Sequence, residues 1–261
     1  MSNTRPILAL KRVLKPLAFR ALSPAFRGLA SLALRDEQTL ARMLHELGNH
    51  NAMGSTLIAD VVPAGLSRIE SFADLTWLYS SNPLNHGVSR LTFDEAACLY
   101  KLARGLNGDG LAVELGRYKG GTTFLLAAAG CVVVSIDNNR IPGSEARTAS
   151  LLLVLGRFAL DARVRLEHGE ATELAQNCEP ADLVFLDIGV DSFDITAAVF
   201  RSWWPKVRPG GVLLFRDGKN TVLKNTERFV SSLSGDEPQG KLSFDLPGAF
   251  VAFHKNADYA R

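Results

Sequence analysis

The segment LAVELGRYKGGTTFLLAAAGCVVVSIDN, residues 111 to 138, decides the fold. An apolar run from Leu111 to Val113 leads into Glu114 and then into a glycine-dense turn, Gly116, Gly120 and Gly121. The turn closes on Thr122, whose hydroxyl is placed to cap a following helix. A second apolar run, Cys131 to Ile136, is rich in β-branched residues and ends on Asp137. Strand, tight loop, helix and strand make a βαβ unit with an acid at the tip of its second strand. Such a unit binds a nucleotide-like ligand at the carboxyl ends of its strands.

The loop spacing narrows the ligand. A dinucleotide-binding loop reads G-x-G-x-x-G, because its second glycine lets a pyrophosphate reach backbone and helix dipole. Here the spacing is E-x-G-x-x-x-G-G with Tyr118 in place of that glycine, which disfavours a nicotinamide-dependent oxidoreductase. A Walker loop ends in G-K-[ST], and Gly120-Gly121-Thr122 has no lysine there. An acid just ahead of the loop repels a phosphate in any case. Glu114 suits a cationic ligand, and Asp137 suits a ribose diol.

These residues resemble the class I S-adenosylmethionine-dependent methyltransferases. VELGRYKGGTT is similar to their first motif, and Asp137 to the ribose-binding acid that ends their second strand. The GRYKGGTT wording most resembles the macrocin O-methyltransferase-like branch, whose members methylate hydroxyls, often on sugars. The likeness runs from about Gly87 to His254. It implies an α/β fold: a doubly wound Rossmann-like sheet, mostly parallel, closed by a C-terminal antiparallel hairpin. It also implies S-adenosylmethionine as cofactor, held by Glu114, Gly116, Tyr118, Gly120, Thr122, Asp137 and Asn138. Glu170 joins them, because it follows a short strand from Val164 to Glu167 where the family meets the adenine amino group. The implied partner is a small-molecule acceptor with a sugar or glycan-like hydroxyl.

Composition sets the outer bounds. The chain has 261 residues, enough for a sizeable core in one α/β domain with an appendage. Its net charge is only +2, yet Arg5, Lys11, Arg12, Lys15, Arg20, Arg27 and Arg35 all precede the first acid, Asp36. Cys98, Cys131 and Cys178 form no C-x-x-C pair, which predicts reduced cysteines and a cytoplasmic address. No apolar run reaches the ~18 residues of a membrane span. Lys11, Arg12 and Lys15 also interrupt the apolar centre that a secretory signal needs.

Residues 1–86 lack strand alternation and read as a helical N-terminal region ahead of a cofactor-binding domain over 87–261. Leu10, Val13, Leu14, Leu17 and Ala21 share a helical face opposite Lys11, Arg12 and Lys15, with Pro16 interrupting. Such a face lies on an anionic membrane surface, here the inner one, or packs on the protein's own body or a second subunit. In related methyltransferases these regions form lids or dimer contacts, so a homo-oligomer is expected. Thr92 followed by Glu95 predicts a capped helix as far as Leu106. His86 and Ser89, just ahead of it, are placed to meet the ligand's carboxylate or to cap a turn.

Two further strands end on acids, Ala181 to Leu186 on Asp187 and Gly211 to Phe215 on Asp217. Adjacent strands of a doubly wound sheet deliver their ends to one crevice, where converging carboxylates repel unless a cation or a shared proton relieves them. The resemblance gives Asp187 and Asp217 metal-ligand positions, for a hard ion such as Mg²⁺. It gives Asp191, in DSFDIT, the position of the catalytic base, with Asp187 beside the acceptor. Gly218 departs from the family, which carries an acid or amide there. That departure leaves metal dependence open and keeps a non-catalytic, cofactor-binding protein as the alternative class. LDIGVD stands where methyltransferases acting on base or amide nitrogens carry Asn-Pro-Pro-aromatic, and the basic N-terminus has no interleaved aromatics. No nucleic-acid partner is therefore expected. Trp203 and Trp204 read as core, and a hairpin through Pro247-Gly248 completes the sheet.

Overall fold

The computed structural model describes residues 57–78, 88–106, 109–219, 223–233 and 240–257. Five strands run parallel: β1 (Leu111–Leu115), β2 (Val132–Asp137), β3 (Val164–His168), β4 (Ala181–Leu186) and β5 (Val207–Phe215). A hairpin, β6 (Gly240–Ser243) and β7 (Val251–Lys255), joins antiparallel with β7 against β5. The sheet order is β3-β2-β1-β4-β5-β7-β6. The order reverses between β1 and β4, and a doubly wound sheet opens its binding crevice at such a switch point.

Helices cover both faces, which is why the central strands are apolar almost throughout. They are α1 (Phe93–Gly105), α2 (Gly121–Ala128), α3 (Ser144–Arg157), α4 (Ala171–Leu174), α5 (Phe193–Trp203) and α6 (Lys224–Ser232). The capping box at α1 forms as its sequence predicts. The Glu95 N–H donates to Thr92 Oγ1 at 3.3 Å, and the Thr92 N–H to Glu95 Oε2 at 2.8 Å.

Strand parity divides the core in two. Ala112 faces one cluster with Leu99, Phe124, Leu125 and Leu151, whereas Val113 and Leu115 face the other with Phe200, Trp203, Trp204 and Phe215. Trp203 and Trp204 are buried core, and Trp203 Nε1 donates to the Ala171 carbonyl at 2.8 Å. Cys131 and Cys178 are buried and all three thiols are unpaired.

The hairpin differs in detail from its sequence reading of Leu242 to Leu246 and Ala249 to His254. Phe244 and Asp245 leave the ladder, and Lys219 Nζ donates to the carbonyls of Phe244 and Leu246, each at 2.7 Å.

Residues 57–78 carry two 3-10 turns, Ile58–Asp60 and Phe72–Leu78, and are tied to α3. The Ala59 N–H donates to Ser150 Oγ at 2.9 Å, and Arg157 Nη2 donates to the carbonyls of Pro63, Ala64 and Leu66 at 3.0, 3.3 and 2.8 Å. The basic face of residues 7–22 and His86 lie outside the described residues. Among the described residues no helix is long and apolar enough to cross a membrane.

Candidate functional site

The glycine loop after β1 is fixed by two close approaches. Gly116 has φ +97°, and a Cβ built there would run into the Asp187 carbonyl at the end of β4. Gly120, at φ +84°, is the N-cap of α2, and a Cβ there would meet Leu151. Thr122 was expected to be the cap. The helix starts at Gly121, so Thr122 falls inside the first turn, and its hydroxyl sits 3.3 Å from Ser89 Oγ instead.

Asp137 closes the loop from the end of β2. Its Oδ2 accepts the N–H groups of Arg117 at 2.8 Å and Tyr118 at 3.2 Å, and its Oδ1 accepts the Asn139 N–H at 2.6 Å. These bonds hold Tyr118 at φ +52°, a left-handed conformation that side chains with a Cβ disfavour. The Tyr118 ring lies among Arg90, Lys119 and Arg147, whose charged groups are 5.7, 5.5 and 5.5 Å from its centroid. Burial and the neighbouring Arg147 push the Lys119 amine down to about 8.

Glu114 is fully buried and does not face the cleft. By parity it shares the face of Ala112, beneath α2, and the β1–β2 register sets it beside Ser135. Ser135 Oγ donates to Glu114 Oε2 at 2.6 Å, and Thr123 Oγ1 donates to the same oxygen. Glu114 Oε1 has no hydrogen-bond partner among the described residues. Burial outweighs the two hydroxyl donors and raises its carboxyl to about 7. The expectation of a direct ligand contact from Glu114 meets this difference: the carboxyl sits one layer below the loop.

A cleft of ≈ 350 Å³ opens at the carboxyl ends of the strands. Its floor is Gly116 and Ile136. Asp137, Asn138, Arg140 and Glu170 line it together with the aliphatic Ile188, Val190, Ile195 and Val199. Glu170 is braced by Arg140 Nη2 at 2.6 Å and by Asn138 Nδ2 at 3.4 Å. Four of the expected cofactor residues, Gly116, Asp137, Asn138 and Glu170, thus meet in one cavity. Glu114, Tyr118, Gly120 and Thr122 are not among the residues that line it. An apolar slot edged by an acid, an amide and a second acid suits a nucleoside: a flat base between aliphatic walls, a diol on a carboxylate.

Asp187 and Asp217 converge as their strand ends predict, and a third residue lies between them. Arg216 Nη1 is 3.6 Å from Asp187 Oδ1, and 3.3 and 3.4 Å from the two oxygens of Asp217. Burial pushes the Asp187 carboxyl up, against the pull of the Arg216 charge.

This donor set does not fit a divalent ion. A dication within ~4 Å of the guanidinium would meet a repulsion on the order of 8 kcal/mol at an effective dielectric of about 20. A side chain at position 218 would press on Val251, whose Cγ2 lies 2.6 Å from a Cβ built on Gly218. Among the described residues no three His, Cys, Asp or Glu are grouped to hold a metal.

Asp191 has another occupation. Its Oδ1 accepts the N–H groups of Asn225 at 2.8 Å and Thr226 at 3.3 Å, so it caps the first turn of α6. It is exposed and does not line the cleft, whereas the sequence reading gave it the base position. Sequence reasoning passed over Arg216 and Ser135. A cation ending the apolar run VLLF, directly before Asp217, was the available signal for the first. Parity with Glu114 across two paired strands was the signal for the second.

The comparisons with known proteins bear on the fold. Residues 113–218 match the family model of a methyltransferase domain. A methyltransferase from Geobacter sulfurreducens superposes with TM-score 0.52 at 20% identity, over 64% of this chain and 80% of that one. A Staphylococcus aureus protein provisionally described as a caffeoyl-CoA O-methyltransferase gives 0.50 at 16%, over 62% and 82%. The cofactor-bound protein Rv0187 from MTB gives 0.50 at 16%, over 90% and 97%. At these identities the structural likeness establishes the fold. No curated protein matches the chain by sequence. Residues 113–218 thus match a methyltransferase domain, and the strand order gives the chain the Rossmann-like fold of its structural neighbours.

Proposed function

We propose that the protein transfers the methyl group of S-adenosylmethionine to a hydroxyl of a small polar acceptor, a sugar or a related metabolite. The observation that carries this reading is the meeting of Gly116, Asp137, Asn138 and Glu170 in one cleft beside the Asp187–Arg216–Asp217 cluster. Asp137 would take a ribose hydroxyl on the remaining lone pair of Oδ1, and Glu170 with Asn138 would face the adenine edge. When bound, the cofactor supplies a methyl group on a sulfonium.

Asp187 is the residue we assign to hold the acceptor's proton. Its backbone adjoins Gly116, and burial raises its carboxyl above the ordinary carboxylate value, against the pull of Arg216. Asp191 would act at one remove, by fixing the loop after β4 against α6. LDIGVD after β4 supports an oxygen acceptor over a base or amide nitrogen. The resemblance of GRYKGGTT to the macrocin-like branch supports a sugar hydroxyl, and the two-faced N-terminal segment supports contact with an anionic membrane surface or a second subunit.

The test is calorimetric titration with S-adenosylhomocysteine, then transfer of labelled methyl from S-adenosylmethionine to a panel of sugars, phenols, carboxylates and amines. Micromolar product binding with turnover on hydroxyl acceptors is expected. Failure to bind, or transfer to nitrogen alone, overturns it.

A further inference from the structure

The Asp187–Asp217 pair lies where the family resemblance puts a metal ion, and what lies between the two acids is a side chain of this protein. We propose that Arg216 is the built-in counter-cation of the acceptor crevice, standing in for a divalent ion. The methyltransfer is then metal-independent, and the crevice is selective against divalent cations. This deepens the methyltransferase reading and rests on it.

Three observations support the assignment. The guanidinium touches both acids, with Nη1 3.6 Å from Asp187 and 3.3 Å from Asp217, while Nη2 donates to the Arg90 carbonyl at 2.8 Å. The head is therefore fixed from two sides of the crevice. All three side chains are close to fully buried, with 11% of Arg216, 14% of Asp187 and 7% of Asp217 exposed. Two carboxylates so placed need a cation, and one planar cation with several donors supplies it without an ion from solution. Finally, the family's further oxygen donor is missing, and Gly218 leaves no room for one against Val251. Loss of a metal donor and gain of an internal cation at positions 216 and 218, on either side of Asp217, are what replacement of an ion by a side chain requires.

An ordinary buried ion pair joining β4 to β5 would show the same contacts, so the deciding measurement is ion binding. Mn²⁺ and Mg²⁺ are titrated by calorimetry into the full chain, both bare and saturated with S-adenosylhomocysteine, in wild type, Arg216→Met, Arg216→Lys and Asp217→Asn. Wild type should show no saturable binding tighter than about 0.1 mM, the weak end of carboxylate cation sites. Arg216→Lys should behave as wild type. Arg216→Met, which takes the guanidinium from both acids, should gain at least about tenfold in Mn²⁺ affinity, since affinity follows the net ligand charge.

A wild-type site tighter than about 0.1 mM that Asp217→Asn abolishes would overturn the proposal. So would a folded Arg216→Met with no gain, because the guanidinium would then not be what keeps ions out. Should Arg216→Met fail to fold, the wild-type and lysine titrations still decide. Failure of S-adenosylhomocysteine itself to bind would instead refute the methyltransferase reading, since the ion titrations on the bare protein do not depend on it.

Discussion

Ser135 donates a hydrogen bond to Glu114 across the β1–β2 seam at 2.6 Å, and this pair sets the charge under the glycine loop. Together with Thr123 it stabilises a carboxyl that is otherwise wholly out of water. The Glu114 pKa is raised from 4.5 to about 7 by burial. A carboxyl whose folded-state pKa is raised contributes stability that is complete below its unfolded value and is lost as pH climbs through the folded one. Stability should therefore fall between about pH 4.5 and 7 by up to the order of 3 kcal/mol from this group. Glu114→Gln keeps the shape and removes the ionisation. Urea unfolding at pH 5 and 8 should show a smaller decline for the variant than for wild type, and parallel pH slopes would refute the assignment.

Gly116→Ala places a methyl against the Asp187 carbonyl at a φ of +97°. Strain alone is worth about 1 to 3 kcal/mol. The melting temperature should drop and S-adenosylhomocysteine affinity with it. A variant with wild-type values of both would mean that the loop swings clear of β4 without loss.

Asp137→Ala removes the acceptor of three backbone N–H groups along with the proposed ribose contact. Binding of S-adenosylhomocysteine should weaken by roughly 1.5 to 3 kcal/mol, the range for hydrogen bonds to a charged group. Asp137→Asn should be nearly as poor, because an amide must turn its NH₂ toward one set of N–H donors. Near-normal binding by the asparagine variant would sink the pincer between β2 and the loop.

Asp191 and Asp187 separate by the same kind of exchange. An amide oxygen can accept the Asn225 and Thr226 N–H groups as a carboxylate does, whereas Ala offers no acceptor, so Asp191→Ala should lose about 0.5 to 1.5 kcal/mol of stability and Asp191→Asn almost none. On a confirmed acceptor Asp191→Asn should turn over within a few-fold of wild type. Asp187→Asn should lose about 10²- to 10⁴-fold, the usual effect of removing a positioned base. The opposite ranking would return the base role to Asp191.

Much of this was legible in residues 111 to 138, because strand parity, glycine spacing and a terminal acid are local signals. The same holds for Thr92 with Glu95 and for the apolar strands ending at Leu186 and Phe215, where chain order and burial point the same way. What stayed hidden depends on the third dimension. Asp191 reads as a free acid in sequence, yet its partners Asn225 and Thr226 lie 34 and 35 residues away. Glu114 looked available to a ligand until its register with Ser135 placed it under α2. Arg216 carries no motif, and its meaning comes only from the distance at which β4 and β5 set two carboxylates.

The tether between Asp137 and the N–H groups of Arg117 and Tyr118 fixes the binding loop before any ligand arrives. A recognition loop that is already ordered loses little conformational freedom on complex formation, so the entropic penalty of shaping the cavity belongs to folding and not to capture. The cofactor then meets a mould instead of creating one. Its heat of binding should vary with temperature only as the buried apolar walls require, with no added signature of local folding.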